Sequence, residues 1–238
     1  MDIMGLKNNP LIATKDLSKV YLRKNLPPIK ALDEVDLEIF AGEFLAIVGR
    51  SGSGKTTLLN LVGALDRPTS GKVIFEGKSL GDFSNRDLAL LRRSKIGFIF
   101  QTFNLLPTLT VLENVKSALI HSQMPKEEIN NKVTDLLDFF DLTDKSNRLP
   151  LELSVGQQQK VAIARALVKD PVLILADEPT GEMDPIAGKE IVTKLVGLNR
   201  KSKVTMIVAS HGTFPYTQAD RTLFLKDGKI VSQKEAGY

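Results

Sequence analysis

The stretch Gly49-Arg50-Ser51-Gly52-Ser53-Gly54-Lys55-Thr56-Thr57 constrains this chain more than any other, because it has the form G-x-x-x-x-G-K-[ST] between a strand pattern and a helix pattern. Before it, Phe44 to Val48 is an unbroken apolar run suited to a parallel strand buried on both faces. After it, Leu58, Leu59, Val62 and Leu65 recur at helical spacing. A loop at such a corner brings backbone N–H groups and the positive end of a helix dipole to one point, where an anion is favoured. The glycines Gly49, Gly52 and Gly54, with Ser51 and Ser53 between them, let main chain approach phosphate oxygens without side chains intervening. Lys55 would reach the β- and γ-phosphates. Thr56 would place its hydroxyl on Mg²⁺, and Thr57 adds a second hydroxyl one position later.

The chain has 238 residues, 42% of them hydrophobic, enough to bury a substantial core in one compact domain with room for a subdomain. Lysine and arginine exceed aspartate and glutamate by 32 − 28 = +4, spread without a long basic run. That balance fits an ordinary solvated exterior and does not imply nucleic acid. With no cysteine there is neither a disulfide framework nor a thiolate metal site, which fits a reducing compartment. Apolar runs such as Val172 to Ala176 are far too short to cross a bilayer, and the N-terminus has no signal-peptide core. The expectation is a chain without direct membrane insertion, any membrane role coming through a partner.

Around the phosphate loop, Ile12 to Tyr21, Ala31 to Phe40 and Gly71 to Gly77 read as a small antiparallel sheet, with turns expected at Pro27-Pro28 and Gly77-Lys78. Tyr21 is either a core aromatic or a platform for a base. Ser84-Asn85-Arg86-Asp87 has capping-box form and opens a helix through Arg93, followed by a strand from Ile96 to Phe100. Gln101, at the end of that strand, is either a loop residue or placed to reach a metal or a water, since ligands gather at strand C-termini in open α/β sheets. From Thr102 to Pro150 the texture is helical: Thr110 and Glu113 cap one helix, and Val133, Leu136, Leu137 and Phe140 share a face of another beginning near Lys126. An inserted helical subdomain is the economical explanation.

Ser154 and Gln157 form a further capping box, opening a helix to Lys169 with serine and Gly156 at its exposed tip. The apolar run Val172 to Ala176 ends in Asp177-Glu178. An acidic pair there is costly unless it acts: Asp177 suits Mg²⁺ and Glu178 suits activating a water. Asp184-Pro185 supplies an N-cap and first-turn proline for a helix to Asn199. Val204 to Ala209 is another buried strand, and His211 beyond it is either structural or a γ-phosphate contact. Thr222 to Leu225 and Lys229 to Val231 form a closing hairpin around Asp227-Gly228.

In this fixed order the pieces resemble the nucleotide-binding subunits of ATP-binding cassette transporters over essentially the whole chain. The resemblance rests on the phosphate loop, Gln101, the signature Leu153-Ser154-Val155-Gly156-Gln157, the strand ending at Asp177 and Glu178, the interface loop Gly181 to Asp184, and His211. It implies an α/β fold in which a P-loop NTPase (RecA-like) core and a small antiparallel β subdomain together take residues 11–101 and 161–238, with an inserted helical subdomain at 102–160. The whole is a single ATP-binding domain over 1–238. It implies ATP and Mg²⁺ as ligands, with Tyr21 stacking on adenine, Thr56, Gln101 and Asp177 at the metal, and Glu178, His211, Lys55 and Gln101 as the catalytic set. Two such domains, expected as a homodimer, would face head to tail. Ser154, Gly156, Gln157 and Asp184 would then meet the nucleotide held by the other copy's phosphate loop. The partner implied is an integral-membrane permease, and the location is the cytoplasmic face of the membrane.

Three residues depart from the family's usual pattern: Val155 stands for glycine, Lys160 for arginine and Glu182 for asparagine. The phrases Phe100 to Pro107 and Ala176 to Gly181 look like the branch serving lipoprotein release, macrolide and peptide export, and cell-division complexes. The expected function is thus an ATP-hydrolysing motor of export or release. The alternative is an ATP-dependent switch that signals through a membrane partner without transport.

Overall fold

The computed structural model describes residues 9–211 and 216–238. Its centre is a six-stranded sheet in the order β10-β9-β3-β8-β7-β6, formed by β3 (Phe44–Val48), β6 (Ile96–Ile99), β7 (Leu173–Asp177), β8 (Thr205–Ser210), β9 (Arg221–Lys226) and β10 (Lys229–Val231). All neighbours are parallel except the final β9–β10 hairpin. The apolar runs explain the arrangement, because both faces of the sheet are covered. Leu45, Ile47, Leu175 and Ile207 face a core shared with α1 (Lys55–Val62), while Phe44, Ile174, Met206 and Val208 face a second core under the helices.

The second sheet, β2-β1-β4-β5, is antiparallel, as the alternating segments predict: β1 (Ile12–Arg23), β2 (Leu26–Ile39), β4 (Ser70–Phe75) and β5 (Lys78–Ser79). Its first turn is not at Pro27-Pro28. The chain reverses at Lys24-Asn25, where Asn25 takes φ 61, and both prolines lie inside β2. A strand at the sheet edge tolerates residues that cannot donate to a ladder, and asparagine accepts a left-handed backbone at small cost. The next turn sits at Glu76-Gly77, one residue earlier than expected.

Helix α1 ends at Val62, so Leu65 lies outside it and is 45% exposed, contrary to the periodicity. The chain leaves the helix through Gly63 and then Ala64, whose backbone is left-handed at φ 57. Gly63 itself is packed so closely that a Cβ there would lie 2.6 Å from the Phe98 ring and 2.7 Å from Leu175. Helices α2 (Asn85–Lys95), α3 (Val111–Ser117), α4 (Lys126–Phe139), α5 (Val155–Leu167) and α6 (Pro185–Ser202) follow where expected, within three residues at their ends. The capping boxes at Ser84, Thr110 and Ser154 all form. A short α7 (Gln233–Ala236), capped by Ser232, closes the described chain. Among the described residues no helix is long and apolar enough to cross a membrane.

Candidate nucleotide site

Parallel strands end at the same edge of a sheet, and here that edge collects the motif residues. Val48 pairs with Ser210, Ala209 with Asp177 and Ala176 with Ile99. The phosphate loop, His211, the Asp177-Glu178 pair and Gln101 therefore emerge side by side from β3, β8, β7 and β6. A cleft of about 320 Å³ opens there, lined by Tyr21, Ile29, Ala31, Ser51 through Thr57, Gln101, Asp177 and Glu178.

The loop's shape depends on glycine at two positions. A Cβ on Gly49 would lie 2.4 Å from the Leu225 carbonyl oxygen, and one on Gly54, at φ 107, would lie 2.4 Å from that of Ala31. The loop is braced from outside: Gly49 N–H donates to Ser210 O at 3.2 Å, and Gly228 N–H, in the β9–β10 turn, donates to Ser53 O at 3.0 Å. Lys55 is 6% exposed and its ammonium donates to the carbonyls of Gly49 (2.7 Å) and Arg50 (3.2 Å). A buried cation whose hydrogen bonds among the described residues go to carbonyls, with one carboxylate oxygen of Glu178 further off at 3.8 Å, is suited to an anion that enters the cleft.

Thr56 Oγ1 donates to Asp177 Oδ2 at 2.6 Å, while Asp177 Oδ1 is buried without a partner among the described residues. Burial raises the Asp177 carboxyl above its ordinary range, and the charge of Glu178 adds to the rise against the Thr56 hydroxyl and Lys55. A hydroxyl and a half-satisfied carboxylate side by side are hard oxygen donors, the kind Mg²⁺ takes together with phosphate oxygens and water. The residues present thus fit that ion.

Glu178 is 9% exposed and has φ 49, an uncommon backbone for a non-glycine residue. Its Oε2 lies 2.7 Å from His211 Nδ1 and accepts the His211 backbone N–H at 3.3 Å. Tyr21 lies at the cleft, 37% exposed, with its hydroxyl donating to Asp66 Oδ2 at 3.0 Å. Gln101 also lines the cleft, and its Nε2 donates to Glu182 Oε1 at 2.9 Å.

Four residues singled out in the sequence stand apart from this cleft. Ser154 and Gln157 cap α5 reciprocally, with Ser154 N–H donating to Gln157 Oε1 at 3.0 Å. A Cβ on Gly156 would lie 3.3 Å from Met183, so the α5 tip sits against the loop entering α6. Asp184 caps α6, accepting the N–H groups of Ile186 and Ala187 at 3.0 Å each. At the departures, Val155 is 43% exposed at the tip, and Lys160 pairs with Glu190 of α6 at 2.8 Å.

Other contributors carry no local sequence signal. Asp66 anchors Tyr21, Gln159 donates to Pro179 O at 2.8 Å just after Glu178, and Arg165 holds the loop after Gln101. Their partners are distant in sequence, so only the folded chain reveals them.

The sequence pattern of the ABC transporter family matches residues 32–181. That is more than half of the chain. It belongs to the ABC transporter family. It is 44% identical over 209 residues to an uncharacterized ABC transporter ATP-binding protein of Thermotoga maritima, covering 88% of this chain and 89% of that one. It is also 44% identical over 223 residues to the macrolide export ATP-binding/permease protein MacB of Nitrosomonas europaea, covering 94% of this chain and 34% of MacB. The chain thus spans about a third of that relative. Among solved structures it superposes on the ATP-binding cassette MJ0796 of Methanocaldococcus jannaschii, in its dimeric post-hydrolysis state with ADP and Pi. The TM-score is 0.86 at 41% identity, over 93% of this chain and 97% of that one. As a family member the chain is a nucleotide-binding motor subunit with the P-loop NTPase fold, and it hydrolyses ATP.

Proposed function

We propose that two copies of this chain clasp two ATP molecules head to tail and drive a separate permease that exports or releases lipoprotein, peptide or drug-like substrates. The observation that carries the catalytic part is the convergence of Lys55, Asp177 and Glu178 on one cleft, with Nδ1 of His211 2.7 Å from Glu178 Oε2. Lys55 and the loop from Gly49 to Thr57 bind the phosphates, and Tyr21 stacks on the adenine. Thr56 and Asp177, with Gln101 beside them, would hold Mg²⁺, which would neutralise charge on the phosphates. Glu178 takes a proton from the attacking water as its oxygen bonds to the γ-phosphorus and the bridging P–O bond breaks. His211 holds the glutamate and the γ-phosphate in place.

The remaining site residues complete the neighbouring copy's site. Ser154 and the N–H of Gly156 grip its γ-phosphate, Gln157 keeps the tip capped, and Asp184 orders the interface loop. A helix terminus contributes only about 0.3–2 kcal/mol toward an anion, so one signature helix does not hold a dimer, and closure needs both nucleotides. Residues 102–160 form a helical subdomain on the core and β subdomain of 11–101 and 161–238, and the motor works at the cytoplasmic face of the membrane. The export assignment is supported by the MacB relative and by the phrases around Gln101 and Glu178.

Capture of tagged Glu178→Gln chain from detergent-solubilised host membranes with ATP and Mg²⁺ tests this. A polytopic permease retained more strongly with ATP than without it supports the motor, and a division factor in the complex points to signalling instead. Recovery of soluble proteins alone would overturn the membrane role.

A further inference from the structure

Arg165 reaches from α5 to the loop that follows Gln101. Its Nη1 donates to Asn104 O at 2.6 Å and its Nη2 to Phe103 O at 2.7 Å. Both acceptors belong to residues with left-handed backbone, φ 58 at Phe103 and φ 49 at Asn104. Two such non-glycine residues in succession persist only where their surroundings over-determine them. Within the loop itself the ties are short-range: Phe103 N–H to Phe100 O at 3.2 Å, Asn104 N–H to Thr102 O at 2.6 Å, and Thr102 Oγ1 to Asn104 Oδ1 at 3.1 Å. Among the described residues, the anchor that another element supplies to these two carbonyls is the planar fork of Arg165, a geometry that a lysine ammonium does not reproduce.

The same helix reaches the other side of the site. Gln159, 1% exposed, donates to Pro179 O directly after Glu178. We infer that Arg165 is a positioning residue for ATP hydrolysis: it locks the turn at Phe103 and Asn104 so that Gln101 is presented to the cleft. With Gln159, it makes α5 the strut that sets the Gln101 loop and the Glu178 segment relative to each other. The inference rests on Gln101 belonging to the nucleotide site.

The test compares Arg165→Met and the conservative Arg165→Lys in the full chain, reading peptide hydrogen exchange, kcat and KM for ATP, and thermal unfolding. With Arg165→Lys, exchange across residues 100–106 is expected to rise about tenfold or more, as local opening without a lock allows, while β3 and α1 keep native protection. The kcat falls about tenfold, with KM for ATP changed less than about twofold, because the phosphate loop is untouched. Arg165→Met repeats the pattern more strongly.

Native exchange at 100–106 in both variants would overturn the inference, and so would exchange rising equally through α5 and β6, which marks a packing residue. Gln101→Ala separates the two ideas. If it leaves kcat native while Arg165→Lys loosens 100–106 and lowers kcat, Gln101 falls from the site and the loop-setting role of Arg165 stands.

Discussion

Nδ1 of His211 lies 2.7 Å from Oε2 of Glu178, whose other carboxylate oxygen is 3.8 Å from the Lys55 ammonium. The carboxylate is therefore fixed between a histidine and a lysine, and the two side chains at its Oε2 act as one unit. Glu178→Gln and His211→Ala are each expected to lower kcat by about 10² to 10⁴, the range for a lost proton-transfer group. The double variant should be no slower than the worse single one, within about threefold, because groups acting as a unit are non-additive. Losses that multiply in steady-state assays would show that His211 works independently of Glu178.

Tyr21 is oriented by Asp66, which also pairs with Lys19 at 2.7 Å, and the Lys19 ammonium lies 5.0 Å from the Tyr21 ring centre. Loss of the ring in Tyr21→Ala should raise KM for ATP by about 2- to 10-fold, as expected for one stacking contact, and leave kcat unchanged. A KM equal to the native value would remove Tyr21 from base recognition.

Asp66 also gives an acid-limb signature. Burial pushes its carboxyl up, but the Lys19 ammonium, the Arg67 N–H and the Tyr21 hydroxyl outweigh that and leave it below the ordinary 3.8. A carboxyl more acidic folded than unfolded contributes stability that is complete above 3.8 and is lost as pH falls through the lowered folded value. Asp66→Asn lacks this contribution at neutral pH. The gap in Tm between native chain and variant should close as the pH is taken down through that window, and a constant gap would contradict the assignment.

Glu182 places a carboxylate on the Gln101 amide beside a cleft built for phosphates. Glu182→Gln keeps an acceptor for Gln101 and removes the charge. KM for ATP should fall about twofold at low ionic strength, with the difference vanishing near 1 M salt, where the screening length is about 3 Å. A difference that survives high salt would mean that Glu182 acts through contact instead of charge.

Helix α5 approaches β6 at Gly97, where a Cβ would lie 2.6 Å from Ile174 Cδ1 and 2.7 Å from the Ala166 carbonyl oxygen. Backbone on one side cannot yield as a flexible side chain can. Gly97→Ala should cost about 1–3 kcal/mol in denaturant unfolding, the usual scale of overpacking. A native midpoint would mean that α5 can shift away from the sheet freely.

Much of this site was legible because its residues adjoin apolar runs whose strand character is unambiguous. Phe44 to Val48 and Thr205 to Ser210 are buried throughout, so their C-terminal neighbours had to emerge at one sheet edge. Capping boxes were equally readable, being contacts across three residues. Pro27-Pro28 misled because a turn signal and an edge strand share the same residue, and edge status is a property of the whole sheet. Leu65 misled because the chain turns out of the helix at Ala64, whose left-handed backbone (φ 57) no local pattern marks. Arg165 and Asp66 could not be found at all: their hydrogen bonds span 62 and 45 residues, and nothing local marks either side chain.

The central claim is that ATP joins two copies of this chain and that Glu178 is needed to break it. The most direct measurement is the solution mass of Glu178→Gln chain by light scattering with ATP and Mg²⁺, then with ADP and Mg²⁺. The account predicts a dimer with ATP, one nucleotide bound per chain, and a monomer with ADP. A monomer at saturating ATP, from a variant that still binds it, would contradict the shared site.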